Sequence, residues 1–307
     1  MRILVVGAGS TGGYFGGRLA EAGRDVTFLV RPGRAAQLAK TGLVIRSPHG
    51  DATLAPKLVE ADGIDAPYDL VLLTVKAFGL EGALRDIAPA IGPDTMIMPV
   101  LNGMRHVDAI GALYGGALIG GVCKVAATLD PEGRIVQLAT FQELAYGELD
   151  GSASDRTKRL DETMQGAGFS ARLSPAIARE MWEKWTLLAT LGGICCLMRG
   201  TVGDIEAASG GRDFVLRFLG EVVTIVETDG VAPSAAYLDT ITKQLTQKGS
   251  PMASSMYRDL TSGLPVEADQ ILGDLEARAK RHGIDSPLVS AAYTNLRVYS
   301  DRLAKGA

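Results

Sequence analysis

Cysteine and histidine are scarce in this chain. Its 307 residues hold three of each: Cys123, Cys195 and Cys196, and His49, His106 and His282. An odd cysteine count with two adjacent members supplies neither a disulfide framework nor the C-x-x-C spacing of a zinc site, which points to a reducing compartment. The histidines are too far apart to pair on one helix turn, so histidine-ligated metal chemistry has little to build on. Acid–base work then falls to lysine or a carboxylate. Long apolar runs are missing too: Leu187 to Met198 is broken by Gly192-Gly193, and Ile3 to Val6 is too short for a signal segment. A net charge of -4 lacks the basic excess of a nucleic-acid binder, and 47% hydrophobic with 21% charged residues leaves no case for disorder. These absences predict a cytoplasmic globular protein of about two domains, with no membrane or nucleic-acid partner.

Glycine is what the chain has in excess: 38 of 307 residues, about 12% against a usual 7% or so. Its placement carries the first functional signal. Through about residue 150, short β-branched runs alternate with helix-like stretches, and Arg2–Val6, Asp25–Val30, Leu70–Val75, Met96–Val100 and Ala117–Val122 read as strands. That alternation predicts an α/β Rossmann-type domain, a doubly wound parallel sheet with crossover helices. The uniformly apolar Leu70–Val75 suits a strand covered on both faces. Residues 42–60 read as a small hairpin excursion. After Pro175 the apolar residues recur at helical spacing, as in Phe214, Phe218, Val222, Ile225 and Val226, and an all-α second domain is predicted. The junction is placed near Ser174-Pro175, giving domains 1–174 and 175–307. Ser286-Pro287 reads as the start of a final helix reaching about Leu303.

Gly7-Ala8-Gly9-Ser10-Thr11-Gly12 follows the first strand and opens a helix, the context in which G-x-G-x-x-G reads as a dinucleotide loop. Gly7 allows the tight turn, Gly9 lets backbone approach a pyrophosphate, and Gly12 lets helix pack on strand, with the helix N-terminus toward the anion. The bland alternative is a glycine-rich turn without a ligand. At the end of the second strand, where NAD-specific folds carry an acidic residue, the chain has Arg31, with Arg34 close by. A guanidinium pairs with a 2′-phosphate where a carboxylate would repel it, so NADP(H) is predicted over NAD. Lys76 and Asn102-Gly103 stand at the carboxyl ends of the next strands, where doubly wound sheets bind ligands, although either could be plain turn chemistry. In the helical half, Lys184 lies between Trp182 and Trp185. A lysine shielded from water is a better proton donor near neutral pH than a solvated one; the commoner alternative is a lysine that snorkels outward. Ser254-Ser255 and Glu267 offer a carboxylate-binding hydroxyl and a group that could orient an ammonium.

Gly7-Ala-Gly-Ser-Thr-Gly-Gly13, Arg31, Val75-Lys76-Ala77, Asn102-Gly103-Met104, Trp182-x-Lys184, Ser254-Ser255-Met256 and Pro265-Val-Glu267 occur in an order that resembles the ketopantoate reductases (2-dehydropantoate 2-reductases), across essentially the whole chain. The resemblance implies a Rossmann domain, a C-terminal domain like that of 6-phosphogluconate dehydrogenase, and NADPH in the cleft. It implies Lys184 as general acid and Glu267 as the residue hydrogen-bonding near lysine and cofactor. Ser255 would hold the substrate carboxylate, Asn102 and Lys76 would contact cofactor or substrate, and the Ala126 backbone would approach the nicotinamide. The reaction so implied is NADPH-dependent reduction of ketopantoate to pantoate in pantothenate biosynthesis. Two departures stand out: the family usually carries asparagines four and eight residues after its lysine, and here these positions are Leu188 and Gly192. The alternatives are therefore a reductase of a different 2-oxo acid, or a non-catalytic NADP-binding sensor. The apolar helical faces also allow a homodimer.

Overall fold

The computed structural model describes residues 1–306, and the chain separates into two compact units. The first comprises Met1–Leu101 and His106–Ala178; the second comprises Asn102–Arg105 and the chain from Arg179 onward.

The strands of the first unit are β1 (Arg2–Val6), β2 (Asp25–Leu29), β3 (Leu43–Arg46), β4 (Ala52–Leu54), β5 (Lys57–Val59), β6 (Leu70–Leu73), β7 (Met96–Pro99), β8 (Gly120–Leu129), β9 (Ile135–Gly147) and β10 (Ser170–Leu173). Its helices are α1 (Ser10–Glu21), α2 (Pro32–Thr41), α3 (Leu80–Asp86), α4 (Arg105–Tyr114, whose first residue groups with the second unit) and α5 (Asp155–Met164). An all-parallel sheet runs β5-β2-β1-β6-β7. Alternate residues of β1 feed opposite cores: Ile3 and Val5 pack with Tyr14, Phe15 and Leu19 of α1, whereas Leu4 and Val6 pack with Leu80, Leu84 and Ile110 on the other face. Burial on both faces is why β1 and β6 are apolar without alternation. β2 lies on one side of β1 and β6 on the other, so the chain reverses direction of winding at β1, the point where doubly wound sheets bind ligands.

The second sheet departs from the sequence-based expectation. Its order is β10-β9-β3-β4, with β8 pairing antiparallel to β9. The predicted strand 117–122 touches the parallel sheet only through an isolated Ile97–Leu118 bridge, then runs into β8 of the second sheet. Both sheets press on α1. A Cβ on Gly16 would come within 2.9 Å of Phe28 and Val5 of the first sheet, and one on Gly13 or Gly17 within 2.7 Å of Ile135 or Ile45 of the second. The glycine run beyond the dinucleotide loop thus makes α1 thin enough to lie between two sheets.

The second unit is helical: α6 (Ile177–Met198, most of whose length lies in it), α7 (Val202–Ala207), α8 (Gly211–Asp229), α9 (Ala235–Leu245), α10 (Ser255–Thr261), α11 (Asp274–Arg281) and α12 (Pro287–Ala304), with a π-helical turn at Asp269–Gly273. Every residue of α6 from Ala189 to Cys196 is buried, which fits a helix that is apolar all round. A Cβ on Gly193 would lie 2.1 Å from the Phe218 ring of α8, and Asn295 of α12 donates to the Cys196 carbonyl at 3.3 Å. Burial pushes the Cys195 thiol up to about 11 and the Cys196 thiol up to about 12, so neither presents a thiolate near neutrality. Ser286 occupies the N-cap of α12 without capping it through its side chain; the Glu221 carboxylate of α8 instead accepts from the Leu288 and Val289 amides. No helix among the described residues is long and apolar enough to cross a membrane.

Candidate active site

The dinucleotide loop is built from β1 outward. Gly7 takes φ +96°, a left-handed conformation that favours glycine, and its amide donates to the Leu29 carbonyl at 2.9 Å. The Thr74 hydroxyl, just past β6, donates to the Val6 carbonyl at 2.8 Å and lies 3.1 Å from the Gly7 carbonyl. Gly12 sits against this post: a Cβ there would lie 2.1 Å from Thr74 Oγ1 and 2.2 Å from the Gly7 oxygen. A Cβ on Gly9 would meet nothing within 4 Å. α1 begins at Ser10 with no side-chain cap, and Ser10, Thr11 and Gly12 form its first turn, whose amides have no acceptor within the helix. A crowded inner wall, an open outer side and an uncapped helix N-terminus fit a dinucleotide pyrophosphate.

Around the loop, Ala8 is buried, and its carbonyl accepts from Arg34 Nε at 3.1 Å. Arg34 Nη1 also reaches Gln37 at 2.6 Å and the Gly133 carbonyl at 3.0 Å. Arg34 is thus a brace between loop and β8–β9 turn, and the exposed Arg31 at the N-cap of α2 is the guanidinium facing solvent. Lys76 is exposed three residues past β6, at the N-cap of a short helical turn. Ala126 lies where the β8–β9 ladder breaks: Val125 pairs with Gln142 and Ala127 with Gln137, so Leu138–Phe141 of β9 stand opposite Ala126 alone.

In the second unit, Asn102 Nδ2 approaches Glu267 Oε2 at 3.5 Å, and Gln270 Nε2 donates to the Asn102 carbonyl at 3.1 Å. Gly103 takes φ +82°, and a Cβ there would lie 2.6 Å from the Gln270 carbonyl. Only glycine lets the corner seat so closely on the π-helical turn. Ser255, exposed, opens α10, while the neighbouring Ser254 side chain caps that helix by accepting from the Tyr257 amide at 2.9 Å. Lys184 is half-buried on α6.

The tryptophans do not enclose Lys184 in the way its sequence position suggests. Trp182 and Trp185, three residues apart, share one helix face with ring centroids 5.3 Å apart. That face takes a different cation, Arg278 of α11, whose guanidinium carbon lies 5.4 and 5.5 Å from the two rings. Arg278 Nη1 pairs with Asp229 at 2.5 Å and its Nε with Asp274 at 3.0 Å. Trp185 Nε1 donates to the Ile271 carbonyl at 3.0 Å, tying α6 to the π-helical turn that follows Glu267. Arg278 has no local sequence signal, because its partners are brought together only by tertiary packing.

Asp229 connects this cluster to pH. Burial opposes ionisation of its carboxyl, but hydrogen bonds from Arg278 and His282 prevail and hold it below the usual carboxylate range. Its stabilising contribution is therefore fully present above the unfolded-state value, about 3.9, and is lost as pH falls through the lower folded value. Asp229→Asn is expected to cost about 1.5–3 kcal/mol at neutral pH and to weaken the acid dependence of stability. Urea unfolding of both proteins between neutral and strongly acid pH measures this; identical acid limbs would exclude Asp229 as a contributor.

A Rossmann-type unit with a dinucleotide loop and a helical unit bearing a lysine, a serine and an Asn–Glu pair define an oxidoreductase of the two-domain dehydrogenase class. Residues 3–151 match the family Ketopantoate reductase PanE/ApbA, and residues 176–300 match Ketopantoate reductase PanE/ApbA C terminal. The chain belongs to the ketopantoate reductase family, whose members act on CH–OH groups. It is 36% identical over 300 residues to YkpB of Bacillus subtilis (strain 168), described as an uncharacterized oxidoreductase, covering 97% of this chain and 99% of that one. The crystal structure of 2-dehydropantoate 2-reductase from Geobacter metallireducens GS-15 superposes with a TM-score of 0.85 at 29% identity, covering 97% and 99% of the two chains. The ternary structure of a D-mandelate dehydrogenase with NADH and anilino(oxo)acetate shares the fold, with a TM-score of 0.87 at 21% identity over 99% and 100%.

Proposed function

We propose that this chain uses NADPH to reduce a 2-oxo acid to the 2-hydroxy acid, ketopantoate being the substrate that its relatives' names put first. The observation that carries the reading is the Asn102–Glu267 approach at 3.5 Å. It joins two residues distant in sequence, both singled out by the resemblance, within the unit that also bears Lys184 and Ser255. The bound nicotinamide supplies the hydride. The first-turn amides of α1 would hold the pyrophosphate, and Lys76 and the Ala126 backbone would be further contacts of the cofactor. Ser255 takes the substrate carboxylate. Lys184 donates its proton to the oxygen as the keto carbon is reduced, and Glu267 with Asn102 orients the ammonium and the cofactor amide.

Arg31 pairs with the 2′-phosphate, so wild type should bind NADPH more tightly than NADH. Arg31→Ala is expected to weaken NADPH about tenfold, the value of one exposed charge-assisted hydrogen bond, with little change for NADH. Arg34→Ala should weaken both cofactors together, because Arg34 braces the Ala8 carbonyl that both share. Fluorescence titrations of the three proteins provide the test; equal affinities of wild type for the two cofactors would reject the NADPH assignment. The reductase reading itself is tested by NADPH oxidation with ketopantoate and other 2-oxo acids. Tight NADPH binding without turnover of any of them would favour the sensor.

A further inference from the structure

Between Met181 and Cys196, α6 leaves only Glu183, Lys184, Leu187 and Leu188 partly accessible; the rest are buried. Glu183 is committed elsewhere, accepting from the amide and hydroxyl of Ser234 at 2.9 and 2.8 Å. Lys184, Leu188 and Gly192 follow at intervals of four, so they form one line along the helix surface. A group held at the lysine therefore has an isobutyl side chain beside it, and beyond that bare backbone. Met256 of α10 fills the space at Gly192: a Cβ there would lie 2.6 Å from Met256 Cε, and Met256 is 3% exposed. Met256 directly follows Ser255. The wall that continues from the lysine thus carries Leu188, Gly192 and Met256. None of them has a side chain that donates a hydrogen bond, and the thioether is at best a weak acceptor.

We propose that the 2-oxo acid accepted here carries an apolar, branched side chain without a hydroxyl, packed on Leu188, with Met256 as a deformable floor over Gly192. The proposal rests on the reading that Lys184 donates the proton and names the substrate class of that same site. A buried hydroxyl facing this wall would lose its water without gaining a partner. A thioether on three rotatable bonds can yield to side chains of different bulk.

Ketopantoate is trimethylpyruvate with one methyl group hydroxylated, so these two substrates differ by a single oxygen. Steady-state kcat/KM with saturating NADPH should favour trimethylpyruvate by about 10–100-fold, the range in which an apolar pocket discriminates against an added hydroxyl. A site built to bind the hydroxyl would instead reject trimethylpyruvate by about 10⁴-fold. Equal values, or a preference for ketopantoate, would overturn the proposal. Leu188→Asn, at a half-buried position the fold can spare, is expected to move the ratio about tenfold toward ketopantoate; an unchanged ratio would remove Leu188 from the wall and overturn the assignment. Failure of both substrates despite intact NADPH binding is a separate result: it would defeat the reductase reading, and this proposal with it.

Discussion

Lys184→Met leaves NADPH affinity unchanged and lowers kcat with the preferred 2-oxo acid by about 10²–10⁴-fold, the usual contribution of a positioned general acid. Methionine matches the length of the lysine stem and its helix propensity, so neither the helix nor its packing is the cause of the loss. The cluster that anchors this part of α6, Trp182 and Trp185 around Arg278 with Trp185 bonded to Ile271, lies on the tryptophan face and is untouched. On the proposed mechanism the interaction removed is one made to charge developing on the substrate oxygen. It is stronger in the transition state than in the ground state, so kcat and kcat/KM should fall together while KM changes little. Stopped-flow NADPH oxidation with cofactor binding followed separately makes the measurement. Turnover within threefold or so of wild type would take the lysine out of the proton transfer.

The residues differ in how far sequence alone could place them, and the differences have physical causes. The dinucleotide loop was legible because its requirements are local: a strand, a turn with positive φ at Gly7, and a helix whose first turn must approach backbone. That the first sheet is parallel followed from apolar strands separated by helices; its strand order did not, and the edge strand β5 lies inside the stretch that reads as a hairpin excursion but pairs parallel with β2. Most of the second sheet was not legible. The pairing of β9 with β8 breaks at Leu138–Phe141, which face a single residue of β8, and this irregularity disturbs the two-residue period by which a half-buried strand is recognised. Leu138 at 60% and Phe141 at 55% exposure add apolar residues where a solvated face would carry polar ones.

Side-chain partnerships over long sequence distances were beyond sequence for a related reason. Trp182-x-Lys184-Trp185 reads as a shielded lysine, but helical geometry puts the two rings on one face and leaves the lysine off it, and α11 supplies the cation that meets them. Likewise Ser286 has the right residue type for a cap, yet a carboxylate from α8 reaches the same amides. The Asn102-Gly103 corner reads from sequence as a ligand-binding position at a strand end or as a plain turn; what the sequence could not tell is that Gly103 is needed because the Gln270 carbonyl packs where a Cβ would be.

Gly12→Ala is expected to lose both stability and cofactor binding, and Gly9→Ala only the second. At Gly12 the added carbon would lie 2.1 Å from Thr74 Oγ1 and 2.2 Å from the Gly7 carbonyl oxygen. Neither can simply swing aside. Thr74 Oγ1 is held by its bond to the Val6 carbonyl, and the Gly7 oxygen belongs to a turn fixed by its amide bond to Leu29. Relief requires α1 to lift from the sheet, but the second sheet closes on its other side at Gly13 and Gly17. Overpacking of this kind costs about 1–3 kcal/mol or somewhat more, which corresponds to a fall in Tm of about 2–12 °C in a domain of this size. Because the loop itself is displaced, NADPH binding should drop by at least an order of magnitude. At Gly9 a Cβ enters open space and the fold is indifferent to it, but on the proposed binding mode that space is the pyrophosphate's, so Tm without cofactor should hold while affinity falls. Thermal unfolding of both variants with and without NADPH separates the two effects. A Gly9→Ala variant that binds NADPH as wild type does would mean that the pyrophosphate does not approach the loop over Gly9, and the cofactor would then have to be anchored mainly by the α1 amides and Arg31.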